Sequence, residues 1–392
     1  MRDVVIIGAT RTPIGRFQGG LSSVPAPRLG SVAIAEAVRR ARVPRDQIDE
    51  VYMGIILAAG LGQAPARQAA LYAGLPNIVP ATTLNKMCGS GLKAVMLGTQ
   101  AIQAGDAEII VAGGMENMSA APYLLDRARS GYRMGHGTLV DSMIKDGLWD
   151  VYNDMHMGGC AELLCREYKI SRAEQDEFAR RSYTRALAAM DSGHFRREIV
   201  PVEVPDSGGT ARRVAEDEEP RRFNPEKLGT LRPIFEEGGT VTVANASSIS
   251  DGAAAVVLAS AEAARRLEVR PLARIVGQAV SATAPEWFTI APAGAIQRLL
   301  EKIGWSKDAV DLYEINEAYA AVVLAVVRDV GLDMERVNIH GGAVALGHPI
   351  GASGARILTT LLYALEERQA HRGVAAVCLG GGEAVSLAIE RL

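Results

Sequence analysis

Cys88-Gly89-Ser90-Gly91-Leu92-Lys93 is echoed far along the chain by Gly351-Ala352-Ser353-Gly354-Ala355-Arg356, each a small-residue turn that leads into an Ala- and Leu-rich stretch. Three other segments repeat in the same order. Val5-Ile6-Ile7-Gly8-Ala9 resembles Ile275-Val276-Gly277-Gln278-Ala279, and Ile48-Asp49-Glu50-Val51-Tyr52 resembles Val310-Asp311-Leu312-Tyr313-Glu314. Ile110-Val111-Ala112-Gly113-Gly114-Met115-Glu116 resembles Val377-Cys378-Leu379-Gly380-Gly381-Gly382-Glu383. Four echoes in one order point to a duplicated core.

Within each half, short β-branched runs alternate with amphipathic stretches, the pattern of an α/β protein whose strands are joined by helices. A strand is predicted over Val4 to Ile7. A helix follows from about Pro27 to Ala41, with Leu29, Val32, Ala33, Ala37 and Val38 at helical spacing. The second half passes from Val374 to Cys378 through a glycine turn into a last strand at Val385 to Ile389. The matching strand of the first half, Ala254 to Leu258, comes only after a long interval. Residues 119–249 therefore read as an insertion, which divides the chain into 1–118 plus 250–270, 119–249, and 271–392. The insertion is more polar, with a charged run from Arg212 to Arg222. Its clearest helix, near Ser171 to Ser192, opens on a capping box at Ser171 and Glu174.

The 392 residues are 48% apolar, enough for a large core, and 42 Lys plus Arg against 45 Asp plus Glu leave a net charge of -3. No basic field favours nucleic acid or a membrane surface. Apolar runs such as Ala318 to Val327 are too short to span a bilayer. The first residues, Met1-Arg2-Asp3 and then Val4-Val5-Ile6-Ile7, lack the pattern of a secretory signal, so a soluble, cytoplasmic protein is expected. Cys88, Cys160, Cys165 and Cys378 have no Cys-x-x-Cys spacing, which argues against both a disulfide framework and a metal site.

Cys88 follows a predicted strand at Ala81 to Leu84 and precedes a helix from Leu92 to Ala104. A thiol there should feel the helix's positive end and nearby N–H donors, which favour the thiolate. An isolated cysteine is more often inert filler. His348 lies in Gly347-His348-Pro349, in the other half's counterpart of the Cys88 region, where duplication would bring the two turns together and supply a base. Cys378 ends a strand before Gly380-Gly381-Gly382, whose amides can meet an oxyanion. Asn316 follows the strand Asp311 to Ile315 and could polarise a carbonyl or serve as a plain helix N-cap.

These segments together resemble the thiolase superfamily, specifically thiolases of the acetyl-CoA acetyltransferase type, over essentially the whole chain. The resemblance is carried by Ala9-Thr10-Arg11-Thr12-Pro13-Ile14-Gly15, Gly62-Gln63-Ala64-Pro65-Ala66-Arg67-Gln68, Asn85-Lys86-x-Cys88-x-Ser90-Gly91, Asp146-Gly147-Leu148-Trp149 and His156-Met157-Gly158. Asn245-Ala246-Ser247, Asp251-Gly252-Ala253-Ala254, Asn316-Glu317-Ala318, Gly347-His348-Pro349 and Cys378-x-Gly380-Gly381-Gly382 complete it. It implies a duplicated βαβαβαββ core in layers α-β-α-β-α with an inserted loop domain.

The resemblance further implies a ping-pong Claisen condensation of two acetyl-CoA to acetoacetyl-CoA and CoA. Cys88 would be acylated, His348 would be its base, Cys378 would take the α-proton, and Asn316 would hold a water. Cys88, Gly380 and His348 would form the oxyanion sites. Coenzyme A would lie along Ser247, His156 and Met157, with Leu148 near the adenine, Arg221 near a phosphate, and Ala318 and Tyr319 in the acyl wall. No cofactor or metal is implied, since the thioesters are substrates. A homodimer or dimer of dimers is implied, with Tyr123 to Gly137 resembling the tetramerisation segment. Tyr319 replaces the family's usual Phe, and Gly158-Gly159-Cys160 also departs from it. The alternatives are a degradative 3-ketoacyl-CoA thiolase of longer chain range and a non-catalytic acyl-CoA-binding protein. A ketoacyl synthase is disfavoured by Cys378, which stands where that enzyme would have a second histidine.

Overall fold

Every residue of strand β1 (Val4–Arg11) is buried, as expected for a β-branched run covered on both faces. The computed structural model describes residues 2–205 and 210–392. It continues with α1 (Ala26–Ala41), β2 (Glu50–Gly54), β3 (Ala81–Leu84), α2 (Ser90–Ala104) and β4 (Ile109–Asn117). After an excursion that contains α3 (Met157–Tyr168) and α4 (Arg172–Asp191), the chain returns as β5 (Ser250–Ser260). The second half supplies β6 (Ala273–Ala282), α5 (Ala291–Ile303), β7 (Leu312–Ile315), α6 (Ala320–Val330), α7 (Ser353–Glu367), β8 (Arg372–Leu379) and β9 (Glu383–Arg391).

The main strands run in the order β7-β8-β9-β6-β1-β5-β4-β2-β3. The antiparallel contact of β1 with β6, Val5 to Arg274 and Ile6 to Ala273, joins the two halves. Outward from it the strands follow in equivalent order, β1, β5, β4, β2 on one side and β6, β9, β8, β7 on the other. The duplication extends to backbone detail. Both β1 and β6 break register at the same point, between Ile6 and Gly8 and between Ile275 and Gly277, which pairs Gly8 with Gly277 and shifts the first sequence echo by one residue. Asp49 accepts from the N–H groups of Glu108 and Ile109, and Asp311 accepts from those of His371 and Arg372.

These contacts set Ile109 opposite Arg372 in the repeat, so the fourth sequence echo is four residues out of register. Met115, and not Val111, is the counterpart of Cys378. The likeness arose because glycine serves two different purposes in the two segments. At Gly113 and Gly114 a Cβ would collide with the carbonyl oxygens of Ala254 and Gly351, which press on β4 from both sides. At Gly381 and Gly382, with φ of +91° and +80°, glycine permits the reversal from β8 to β9.

Alternate residues along the strands face different cores. Val5, Val51 and Val111 pack under α1, whereas Ile6, Ile110 and Leu258 face α2 and α7, which lie between the halves. On the far side Tyr313, Val374 and Ala376 pack with α5 and α6. The layers are thus helix, sheet, paired helices, sheet, helix. The two central helices meet at glycines. A Cβ on Gly91 would stand 2.8 Å from the Ala355 nitrogen, and one on Gly354 would run into the backbone of Leu92.

A Gly354→Ala substitution is expected to lower stability by about 1–3 kcal/mol, because neither backbone can retreat from a buried crossing. Thermal and urea denaturation of the variant beside the parent protein measures it, and an unchanged midpoint would contradict the crossing geometry.

Candidate active site

The central helices present their N-terminal turns to a common region, and the turn before each is held by its own serine. Ahead of α2, the Ser90 hydroxyl accepts from Lys86 N–H at 2.8 Å and donates to the Met87 carbonyl at 2.6 Å. Lys86 also pairs with Glu383, which ties this turn to the start of β9. Met87 is forced to a φ of +45°, and Cys88 is left on the wall of a cavity. Ahead of α7, Ser353 donates to the Pro349 carbonyl at 3.0 Å and lies 2.6 Å from His348 Nδ1.

That arrangement fixes the imidazole. Ser353 Oγ holds the ring by Nδ1, which turns Nε2 toward Asn316. Nε2 lies 3.4 Å from Asn316 Nδ2. The His348 N–H donates to the Ser248 carbonyl at 3.1 Å and to Ser250 Oγ at 3.2 Å. Gly347, with φ of +105°, can be no other residue, since a Cβ would overlap the Ser250 hydroxyl.

Asn316 follows β7 and is fully buried, with its N–H on the Ala376 carbonyl at 2.9 Å. It is not a helix N-cap, because α6 begins at Ala320 with Tyr319 in the cap position. Its Oδ1 has no hydrogen-bond partner among the described residues. Glu317 locks the loop, accepting from Ser182 Oγ of α4 at 2.7 Å, Asn338 Nδ2 at 2.8 Å and Val344 N–H at 3.0 Å. Glu116 performs a similar service. Its carboxylate accepts from the N–H groups of Ile56, Leu57 and Gly351 at 3.1, 3.1 and 2.9 Å, tying the His348 turn to the first half.

Burial decides the protonation states. The Cys88 thiol is pushed up to about 12 by desolvation, against which the N–H groups of Gly380 and Cys88 itself pull down. It rests as a neutral thiol. Desolvation thus opposes the thiolate that the nearby helix terminus favours, the helix itself starting two residues on at Ser90. His348 is pushed down to about 3 by burial and by the nearby Arg356 cation, so it too is neutral and free to accept a proton. Burial and the adjacent Cys88 also raise Cys378, and Glu116 rises to about 7 against its three amide donors.

A cavity of about 370 Å³ opens on these groups. Among its lining residues are Cys88, His348 and Gly380, along with Leu148, His156, Met157, Ser247, Ala318 and Tyr319. Asn316 touches His348, and Cys378 is buried within electrostatic reach of Cys88. Arg221 is the exception. It does not line the cavity, and its half-exposed guanidinium is held by Asp191 and Glu216 at 3.1 and 3.3 Å. Sequence reasoning assigned no role to Ser353, Glu116 or Glu317, and it overlooked the apolar walls Phe235 and Phe288. Ser353 had a local signal, its position five residues after the histidine.

Family models for the thiolase N-terminal domain and the thiolase C-terminal domain match residues 4–262 and 269–391. The chain is 53% identical to an acetyl-CoA acetyltransferase of Pseudomonas aeruginosa, with all of both chains covered. An acetyl-CoA acetyltransferase of Bacillus anthracis superposes with a TM-score of 0.98 at 44% identity, covering 100% of this chain and 99% of that one. A thiolase of Ascaris suum in complex with coenzyme A gives a TM-score of 0.95 at 43% identity, with full coverage of both.

Two neutral partners predict the pH behaviour of Cys88. Its alkylation by iodoacetamide should rise with pH throughout pH 6 to 9, roughly tenfold per unit, as the small thiolate fraction grows. A plateau near neutral pH would instead reveal a resting thiolate–imidazolium pair.

Proposed function

The chain belongs to the thiolase family, and on that premise we propose that it is an acetyl-CoA C-acetyltransferase, joining two acetyl-CoA reversibly into acetoacetyl-CoA and CoA. The observation that carries this reading is the convergence of Cys88, His348 and Gly380 on one cavity, with Asn316 bonded to His348 and Cys378 close behind Cys88.

In the first half-reaction Cys88 attacks the thioester carbonyl while His348 Nε2 takes its proton. The N–H groups of Cys88 and Gly380 receive the oxyanion. Collapse releases the CoA sulfur, which takes the proton from His348, and leaves acetyl-Cys88. In the second, Cys378, as a thiolate whose own proton has passed to solvent, takes an α-proton from another acetyl-CoA, and the enolate oxygen accepts from Asn316 Nδ2 and from His348 with its ring proton on Nε2. The carbanion then attacks acetyl-Cys88, the Cys88 sulfur departs, and the proton held by Cys378 becomes available to it.

Coenzyme A is assigned to the cavity, with Ser247, His156 and Met157 along its pantetheine arm and Leu148 near the adenine. Arg221 is left out because its charge is already paired. The chemistry uses thiols, an imidazole and amides, so no cofactor or metal is assigned. A homodimer or dimer of dimers in the cytoplasm goes with this reading. Tyr123, Leu125, Met134 and Leu139 support the assembly, for they expose apolar surface on one loop segment.

Intact-protein mass spectrometry after mixing with acetyl-CoA should show one acetyl group, located on Cys88. Cys88→Ser should remove it. Cys378→Ser should retain it while condensation falls by roughly 10²–10⁴-fold. Two variants equally unable to acylate would overturn the division of labour between the thiols.

A further inference from the structure

Tyr319 caps α6 at the back of the cavity, with its ring buried and edge-on to Phe235 at 6.0 Å. Its hydroxyl hydrogen-bonds to no protein atom among the described residues, yet the ring lines the cavity. Cys88, His348 and Gly380 line the same cavity as the Tyr319 ring, so its hydroxyl shares the space that holds an acyl group on Cys88. Met157, Phe235, Phe288 and Ala318 give the cavity an apolar wall, while its polar lining residues His156 and Ser247 are those assigned to the pantetheine arm. In the proposed reaction the Gly380 N–H is taken by the oxyanion and His348 by the travelling proton. Burial holds the Tyr319 phenol protonated, so it is a donor as well as an acceptor.

We propose that the Tyr319 hydroxyl determines acyl specificity, selecting short acyl thioesters with an oxygen beyond the carbonyl, of which hydroxyacetyl-CoA is the simplest, over apolar chains of the same size such as propanoyl-CoA. An apolar chain packed against this hydroxyl would bury it without a partner, whereas an oxygen at the same place satisfies it. A site with a buried hydrogen-bonding group discriminates against the analogue that lacks the partner far more than a greasy pocket discriminates between methylenes. The step is acyl transfer like that of acetyl: the Cys88 sulfur gains the hydroxyacyl carbon, the CoA sulfur leaves with the proton from His348, and no oxidant or reductant takes part.

The inference rests on Cys88 being the acyl acceptor, and the test separates the two. The rate of acyl-enzyme formation on the full-length protein is followed by mass spectrometry with acetyl-, hydroxyacetyl- and propanoyl-CoA, for the parent and Tyr319→Phe. The hydroxyacetyl-to-propanoyl ratio is expected to fall about tenfold in the variant. An unchanged ratio alongside normal acetyl loading overturns the role of Tyr319 alone, and no acetyl loading at all overturns both readings. Should Tyr319→Phe fail to fold, an equimolar mixture of the two longer thioesters given to the parent protein decides. Hydroxyacetyl must predominate on Cys88, and a majority of propanoyl overturns the proposal.

Discussion

The crossing of α2 and α7, where Gly91 lies against the backbone of Ala355 and Gly354 against that of Leu92, is the constraint on which the rest of the molecule depends. Two buried helices cross with their backbones almost touching, which only glycine at both positions allows, and that closeness brings their N-terminal turns together. The turns carry Cys88 and His348. Had either glycine a side chain, the helices would separate by the width of a methyl group, and a hydrogen-bonded thiol–imidazole encounter would be out of reach.

The same burial governs the chemistry. Between two sheets there is little water to stabilise an ion, so thiol and imidazole both rest uncharged, and charge develops only as the reaction proceeds. Fixed dipoles surround these groups: the amides of Cys88 and Gly380, the Asn316 amide, and an imidazole that Ser353 orients. Farther out, buried carboxylates perform mechanical work. Glu116 and Glu317 each accept three hydrogen bonds that pin a catalytic loop to a neighbouring segment, one to the first half and one to a helix of the insertion.

Much of this was legible in the sequence. The strand at Ala81–Leu84 and the capping box of α4 stand as periodicity and local chemistry predict. Cys88, His348, Cys378 and Asn316 were found because their short glycine-rich contexts carry signal. The state of Cys88 was not legible, since a helix terminus is a local feature whereas desolvation is the work of the whole fold. Ser353, Glu116 and Glu317 escaped for a related reason: each bonds to segments distant in sequence or to main-chain groups that have no identity in the one-letter code. The misregistered fourth echo shows the limit of motif likeness, where two glycine runs looked alike while one served contact and the other a turn.

The matched register breaks of β1 and β6 have a consequence for ancestry. A pair of identical half-length chains related by a two-fold axis would have placed the same residue in both turns at the helix crossing, so a thiol would have faced a thiol. In one continuous chain the positions are released from that symmetry. Cys88 corresponds to Gly351 and His348 to Asn85, so thiol and imidazole occupy different places in the repeat, one contributed by each half. A continuous chain allows two like halves to bring different groups to one crossing.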